Sequence, residues 1–260
     1  MVPAINVEWP IIAERIFSPP PEFWRALLTT VSIAVIAQLL GVALGLVSAL
    51  AGLSRLWPVR ALSAAYVLLI RGTPLIVQIF FIFFGANLFF GFALFPREVA
   101  IAGLTISGAI LAGITALAVN EGAYMSEIIR AGIQAVDPGQ MEAALSVGMT
   151  RSKAMRRIVL PQAARVIVPP LGNEFNNMIK NTSLLAFIGV YEMFFDAEVG
   201  YSTTFRPVEY FFAVAFWYLV LTTIWSLIQA RIERRLNPAA QEQQAGFLAR
   251  MRRLQPGRAH

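Results

Sequence analysis

Residues Ala135–Phe175 read AVDPGQMEAALSVGMTRSKAMRRIVLPQAARVIVPPLGNEF, a polar and basic stretch set between apolar regions. Asp137 is suited to cap a helix whose first position is Pro138. Its carboxylate can accept from the unpaired amides of the first turn, and proline has no amide to leave unpaired. The helix is expected to run through Gln140, Glu142, Ala143, Ala144 and Leu145 and to end at Gly148. Two adjacent alanines and a single charge at Glu142 give it a surface that a second protein can approach closely. A further short helix is expected to start near Thr150, carry Arg151, Lys153, Arg156 and Arg157, and stop before Pro161. These features alone leave open both an ordinary basic loop and a docking segment.

Working outward, the flanking regions are too apolar for water. The chain of 260 residues is 57% hydrophobic and only 14% charged, far from soluble composition. Several apolar stretches approach the roughly 20 residues that a helix needs to cross a bilayer. The first runs from about Leu27 to Leu53, with Gln38 as its most polar member and a stripe of Gly41, Gly45 and Ser48 that admits a close helix neighbour. The second, Ala61 to Phe95, is interrupted by Arg71-Gly72-Thr73-Pro74, where a kink or break is expected. The third is placed at about Val99 to Val119. The fourth, Val166 to Phe195, is expected to break at Pro169-Pro170 and at the polar patch Asn173 to Ser183. The fifth lies at about Val208 to Ile228.

The net charge of +6 is concentrated in particular segments. Arg55 and Arg60 follow the first span, the basic residues up to Arg165 lie between the third and fourth, and Arg231, Arg234, Arg235, Arg250, Arg252 and Arg253 follow the fifth. By the rule that basic loops stay inside, these three regions are expected to be cytoplasmic. Five spans with the N-terminus outside and the C-terminus inside satisfy every loop. The expected organisation is a periplasmic N-terminal segment (1–24), a transmembrane domain (25–230) with its loop at about 137–161, and a basic cytoplasmic tail (231–260). The N-terminus lacks the basic region of a signal peptide. Absence of Cys and a lone His260 exclude thiolate and His-cluster metal sites. Without a nucleophile elbow or a phosphate-binding loop, an enzyme is not expected, and any ATP would be bound by a partner.

Glu142-Ala143-Ala144, Gly148, then Ile158, Leu160 and Pro161 resemble the EAA loop of ABC importer permeases, with every position of the pattern matched. Further strings resemble the polar amino-acid uptake branch, the histidine, arginine and glutamine type. They are Arg71 to Gln78 (RGTPLIVQ), Gly122-Ala123-Tyr124 with Glu127 and Arg130, Ile133 to Val136, Gly139-Gln140, and Pro170 to Phe175. The likeness covers roughly residues 25 to 230. It implies an all-α MetI-like fold of about five transmembrane helices and a cytoplasmic coupling helix. It also implies a second permease subunit, homomeric or related, and a dimer of ATPase subunits that holds ATP and Mg. An extracytoplasmic binding protein would deliver an amino acid across the bacterial inner membrane.

Lys180-Asn181-Thr182-Ser183-Leu184 resembles the family's substrate-pocket string, which usually reads Lys-Asp-Thr-Ser-Leu. Lys180 with the Thr182 and Ser183 hydroxyls can serve a substrate carboxylate; alternatively Lys180 snorkels or pairs with Glu174. Asn181 removes the family's carboxylate, and Glu121, after the apolar third span, can restore it by facing the substrate's cationic group. The alternatives for Glu121 are an ion pair with Lys180 or Arg130, or exposure at a helix end. Arg71 and Pro74 are candidate gating or structural residues. So are Tyr124, Glu127 and Arg130, the last two spaced for a helical ion pair. Competing readings are the same fold carrying another small solute, or a channel or secondary carrier. A channel or carrier lacks support from the EAA pattern and from any series of intramembrane acids.

Overall fold

The computed structural model describes residues 7–85, 88–89, 91–92, 94–101 and 104–236. Residues 1–6 and the tail from Asn237, with Arg250, Arg252, Arg253 and His260, lie outside the described residues. Helix α1 (Trp9–Phe17) precedes the long α2 (Pro21–Gly52). Pro19 and Pro20 keep the joint extended, and Pro21 starts α2 where its missing amide costs nothing. The helix therefore begins before Leu27, and the boundary expected after residue 24 falls inside it.

Helix α3 (Trp57–Arg71) and α4 (Leu75–Phe80), which continues through a π-helical turn (Phe81–Gly85), meet at 107°. Gly72 and Pro74 occupy the break, as the sequence predicts. The expected third span is corrected at its start. Strands β1 (Glu98–Ile101) and β2 (Leu104–Ser107) form an antiparallel hairpin, with Glu98 paired to Ser107 and Ile101 to Leu104. Hydropathy cannot separate such an apolar strand from a helix, and β-branched Val99, Thr105 and Ile106 favour the strand. Ser107 then caps α5 (Gly108–Gln134), its hydroxyl accepting from the Ala109 amide at 3.2 Å.

After α6 (Pro138–Ser146), the chain passes through α7 (Arg151–Ala154) and a π-helical turn (Met155–Val159) into α8 (Leu160–Asn181). Two expectations fail here. The basic helix does not stop before Pro161, because the wider turn lets the Leu160 amide reach Met155 O and accommodates a proline that brings no donor of its own. Pro169 and Pro170 do not break α8 either. A neighbouring helix supports the backbone there: Gln229 Nε2 donates to Pro169 O at 3.1 Å and Trp225 Nε1 to Gly172 O at 2.8 Å. The interruption comes later, as a 3-10 segment (Thr182–Ile188) ended by Gly189 at φ +79°. Helices α9 (Met193–Thr204) and α10 (Pro207–Leu236) complete the fold.

The helices pack in alternating directions. Gly41 faces Glu121 and Gly45 faces Met125, so α2 and α5 run parallel. Gly113 faces Leu185 while Gly132 faces Ile167, so α8 returns antiparallel to α5. Asn176 bonds Ser226 and Pro169 bonds Gln229, so α10 reverses again. By length and composition α2 and α10 can cross a membrane, and α3 with α4 can form one bent span. The central core gathers Ile33, Ala37, Ile79, Leu117, Met178 and Leu185 from α2, α4, α5, α8 and the 3-10 segment.

Candidate functional site

Two features carry chemistry: the projecting helix α6 and a seam of polar groups between spans. Asp137 caps α6 by accepting from the Gly139 amide at 2.7 Å, with Pro138 at the start. At the other end Gly148 sits at φ +80°, its amide donating to Leu145 O at 3.0 Å while the Met149 amide donates to Ala144 O at 3.1 Å. This pair of reversed bonds is a Schellman motif, which needs the left-handed residue that glycine supplies most cheaply. The two alanines do different things, whereas the sequence treats them alike. Ala144 is buried, and Ala143 is exposed beside Glu142 and Gln140. Leu145 at 41% and Val147 at 78% exposure leave apolar surface next to them. Leu160 and Pro161 are exposed at the start of α8, and Ile158 is half-buried in the π-helical turn. Gln162 Nε2 approaches Gln140 Oε1 at 3.3 Å and ties α8 back to α6.

The polar seam begins where α2 meets α5. Glu121 lies mid-helix and is only 4% exposed, which removes exposure at a helix end from its alternatives. Gln38 Nε2 donates to its Oε1 at 2.7 Å, and Gly41 provides the space: a Cβ there would meet Glu121 Cγ at 2.5 Å. Gln38 Oε1 is buried and has no partner. One position earlier, Asn120 Nδ2 donates to Gln78 Oε1 at 2.9 Å. Gln78 Nε2 in turn reaches Ile70 O and the Thr73 hydroxyl, closing the break between α3 and α4. Ser48, Ser63 and Ser126 join α2, α3 and α5 through bonds near 3.0 Å.

The antiparallel register of α5 and α8 brings the segment 174–181 alongside the Glu121 region. Glu121 and Lys180 thus come from adjacent helices, but among the described residues neither enters an ion pair. Lys180 is exposed, Asn181 half-buried and Thr182 buried. The Thr182 hydroxyl donates to Ile179 O at 2.8 Å and the Ser183 hydroxyl to Lys180 O at 2.7 Å, leaving their lone pairs as acceptors. Glu127 and Arg130 form their helical pair at 2.6 Å, and Arg71 lies over the Tyr124 ring at 5.2 Å.

Sequence reasoning missed a second buried carboxylate. Glu192 is fully enclosed; it caps α9 through the Phe195 amide at 2.8 Å and accepts from the Tyr218 hydroxyl at 2.8 Å and the Thr30 hydroxyl at 3.4 Å. Its place at the end of an apolar region was the available signal. Its partners, from α2 and α10, were not visible locally.

Alternating helices around polar seams, with a doubly capped helix projecting between two of them, define a polytopic membrane transport component. Residues 41–238 match the binding-protein-dependent transport system inner membrane component, and the chain belongs to that family. A probable amino-acid permease of Bacillus subtilis (strain 168) is 37% identical over 232 residues, covering 89% of this chain and 97% of its own. The L-cystine transport system permease of the same organism is 38% identical over 88% of each chain. Among solved structures, an amino acid ABC transporter crystallised with histidines superposes with a TM-score of 0.75 at 38% identity, covering 89% of this chain and all of that one. An inward-facing methionine ABC transporter, 16% identical, superposes with a TM-score of 0.67 over 83% of this chain and 96% of its own, and shares the fold.

Proposed function

We propose that this chain is the permease subunit of an ATP-driven importer that moves polar amino acids across the bacterial inner membrane. It crosses five times with the N-terminus outside and the C-terminus inside, pairs with a second permease, and receives substrate from an extracytoplasmic binding protein. ATP and Mg belong to two ATPase subunits. The observation that carries this reading is α6, fixed at both ends and presenting Ala143, Glu142, Leu145 and Val147 outward. Seated in an ATPase groove, a helix so firmly terminated moves as a rigid body and passes nucleotide-driven closure to α5 and α8. Ligand-driven change requires such differential contact in the two states. Ile158, Leu160 and Pro161 frame the same contact surface.

For the substrate, Glu121 supplies the negative charge lost at Asn181. The exposed Lys180 ammonium serves the carboxylate end, and the Thr182 and Ser183 hydroxyls join it only by exchanging their backbone acceptors for the substrate. Arg71 and Pro74 shape the bent span, with Tyr124, Glu127 and Arg130 bracing it. Buried ionisable groups at this depth are costly unless they face a partner or a cavity.

Reconstitution with the co-expressed ATPase and binding protein tests the reading. ATPase activity should rise with binding protein loaded with one class of amino acid, and Gly148→Asp should abolish the rise by disrupting α6. An ATPase that never associates with the permease sinks the importer reading. Glu121→Gln should lower transport of cationic amino acids about tenfold more than that of neutral ones, the effect of roughly 1.4 kcal/mol of lost charge pairing. An equal loss for both classes assigns Glu121 to structure alone.

A further inference from the structure

A polar cavity opens beside the Ser63 end of the seam. It has a volume of about 660 Å³ between α3 and the last turns of α5, with Arg60, Ser63, Arg71, Tyr124, Glu127 and Arg130 among its walls. The charges do not cancel. Glu127 is held by Arg130 at 2.6 Å, while among the described residues Arg60 and Arg71 have no carboxylate within ion-pair distance. Arg71 is instead fixed by stacking on Tyr124. Arg60 and Arg71 are three helical turns apart, so they project from the same face of α3 with about 16 Å between their backbones. The Ser63 hydroxyl is committed to Ser48 O at 2.8 Å, so the cations are the groups left to bind a ligand.

The rest of the wall is apolar. Val67 and Leu68 line the cavity between the two arginines, and Leu68 is 74% exposed. Leu69 beside it is 65% exposed, which continues the apolar surface outward. Cations and open aliphatic surface on one helix face fit an amphiphile better than a free anion, which would leave the leucines without a partner. Basic pockets between membrane helices match anionic lipid headgroups.

We propose that this cavity binds the phosphate headgroup of an anionic membrane phospholipid. The Arg60 guanidinium receives the phosphate, and the Val67–Leu69 surface further along α3 receives the start of the acyl chains, up to the Arg71–Tyr124 stack. A lipid headgroup carrying its own cation would be repelled by the unpaired arginines, so the site discriminates phosphatidylglycerol from phosphatidylcholine. The site abuts the α3–α4 break at Gly72, and its occupant would hold α3 against α5.

The test uses the full chain, stripped of lipid in detergent, with the unfolding midpoint read after adding phosphatidylglycerol, phosphatidylcholine of the same acyl chains, or glycerol phosphate. The expected result is an upward shift with phosphatidylglycerol alone. Arg60→Gln, at an exposed position, should raise the half-saturating phosphatidylglycerol concentration about fivefold, the loss of one cation near a headgroup. Ala64→Trp, also exposed and on the cavity wall, should abolish the preference by filling the space without changing charge. Equal shifts with both lipids would reduce the occupant to nonspecific solvation, and an equal shift with glycerol phosphate would replace the lipid with a soluble anion. Either result overturns the proposal, as does unchanged phosphatidylglycerol selectivity in both variants.

Discussion

At Gly41 the missing side chain is what allows Glu121 to lie across α2. A Cβ there would meet Glu121 Cγ at 2.5 Å and Ala118 O at 3.3 Å. Overpacking a formed core usually costs about 1–3 kcal/mol, so Gly41→Ala should lower stability by that amount in detergent unfolding. In a Glu121→Gly background, which removes both the Cγ and the Cβ that would stand 2.6 Å from the added methyl, the same substitution should cost less than about 1 kcal/mol. An identical penalty in both backgrounds would locate the strain elsewhere. Tyr218→Phe makes a parallel case at Glu192: losing a 2.8 Å bond to a fully buried carboxylate should cost about 1–3 kcal/mol by the same measurement. The small-residue stripe Gly41, Gly45 and Ser48 was legible because close helix approach selects residue size directly. The burial of Glu121 was not, since its partner Gln38 is 83 residues away and a span's end and its middle look alike in hydropathy.

The elements divide according to whether their determinants are local. Helix α6 was readable from its caps, because Asp137, Pro138 and Gly148 act within a turn of their own positions. The break before α4 was readable for the same reason. Where tertiary partners decide, the sequence misled: Pro169 and Pro170 sit inside α8 because α10 provides Gln229 and Trp225 to neighbouring carbonyls. Gln229→Leu should therefore destabilise the α8–α10 pair by about 1–2 kcal/mol, the cost of withdrawing a buried donor while keeping the bulk. Gln229→Glu, which also withdraws the amide donor, should be at least as damaging. A neutral result for both would mean that the proline carbonyls are satisfied without α10. Residues 98–107 failed for a different reason: a short apolar strand and the first turns of a span have the same composition, and Ser107 marks the helix start only once the hairpin is known.

Over the whole molecule, packing direction constrains topology independently of charge. Helices α2 and α5 run parallel, α8 opposes them, and α10 opposes α8; the bent α3–α4 pair supplies the return between α2 and α5. If each of these helices and the bent pair crosses the membrane, as proposed, the number of crossings is odd and α1 and the end of α10 lie on opposite sides. The distribution of arginines agrees with the proposed orientation, in which Arg231, Arg234 and Arg235 lie inside. The two arguments share only the assumption that these helices cross the membrane, since one uses contacts and the other insertion bias. The native chain contains no cysteine, which permits a direct test. Ser18→Cys, at the end of α1, should react with a membrane-impermeant maleimide added to intact cells with a permeable outer envelope. Ser146→Cys, at the end of α6, should react only after the inner membrane is opened, and association with the ATPase should then slow the reaction. Both positions are exposed, so protection reports sidedness rather than burial. Labelling of both from the same side would break the five-crossing topology, whereas labelling of Ser146→Cys from outside and Ser18→Cys from inside would invert it and place α6 beyond reach of any cytoplasmic ATPase.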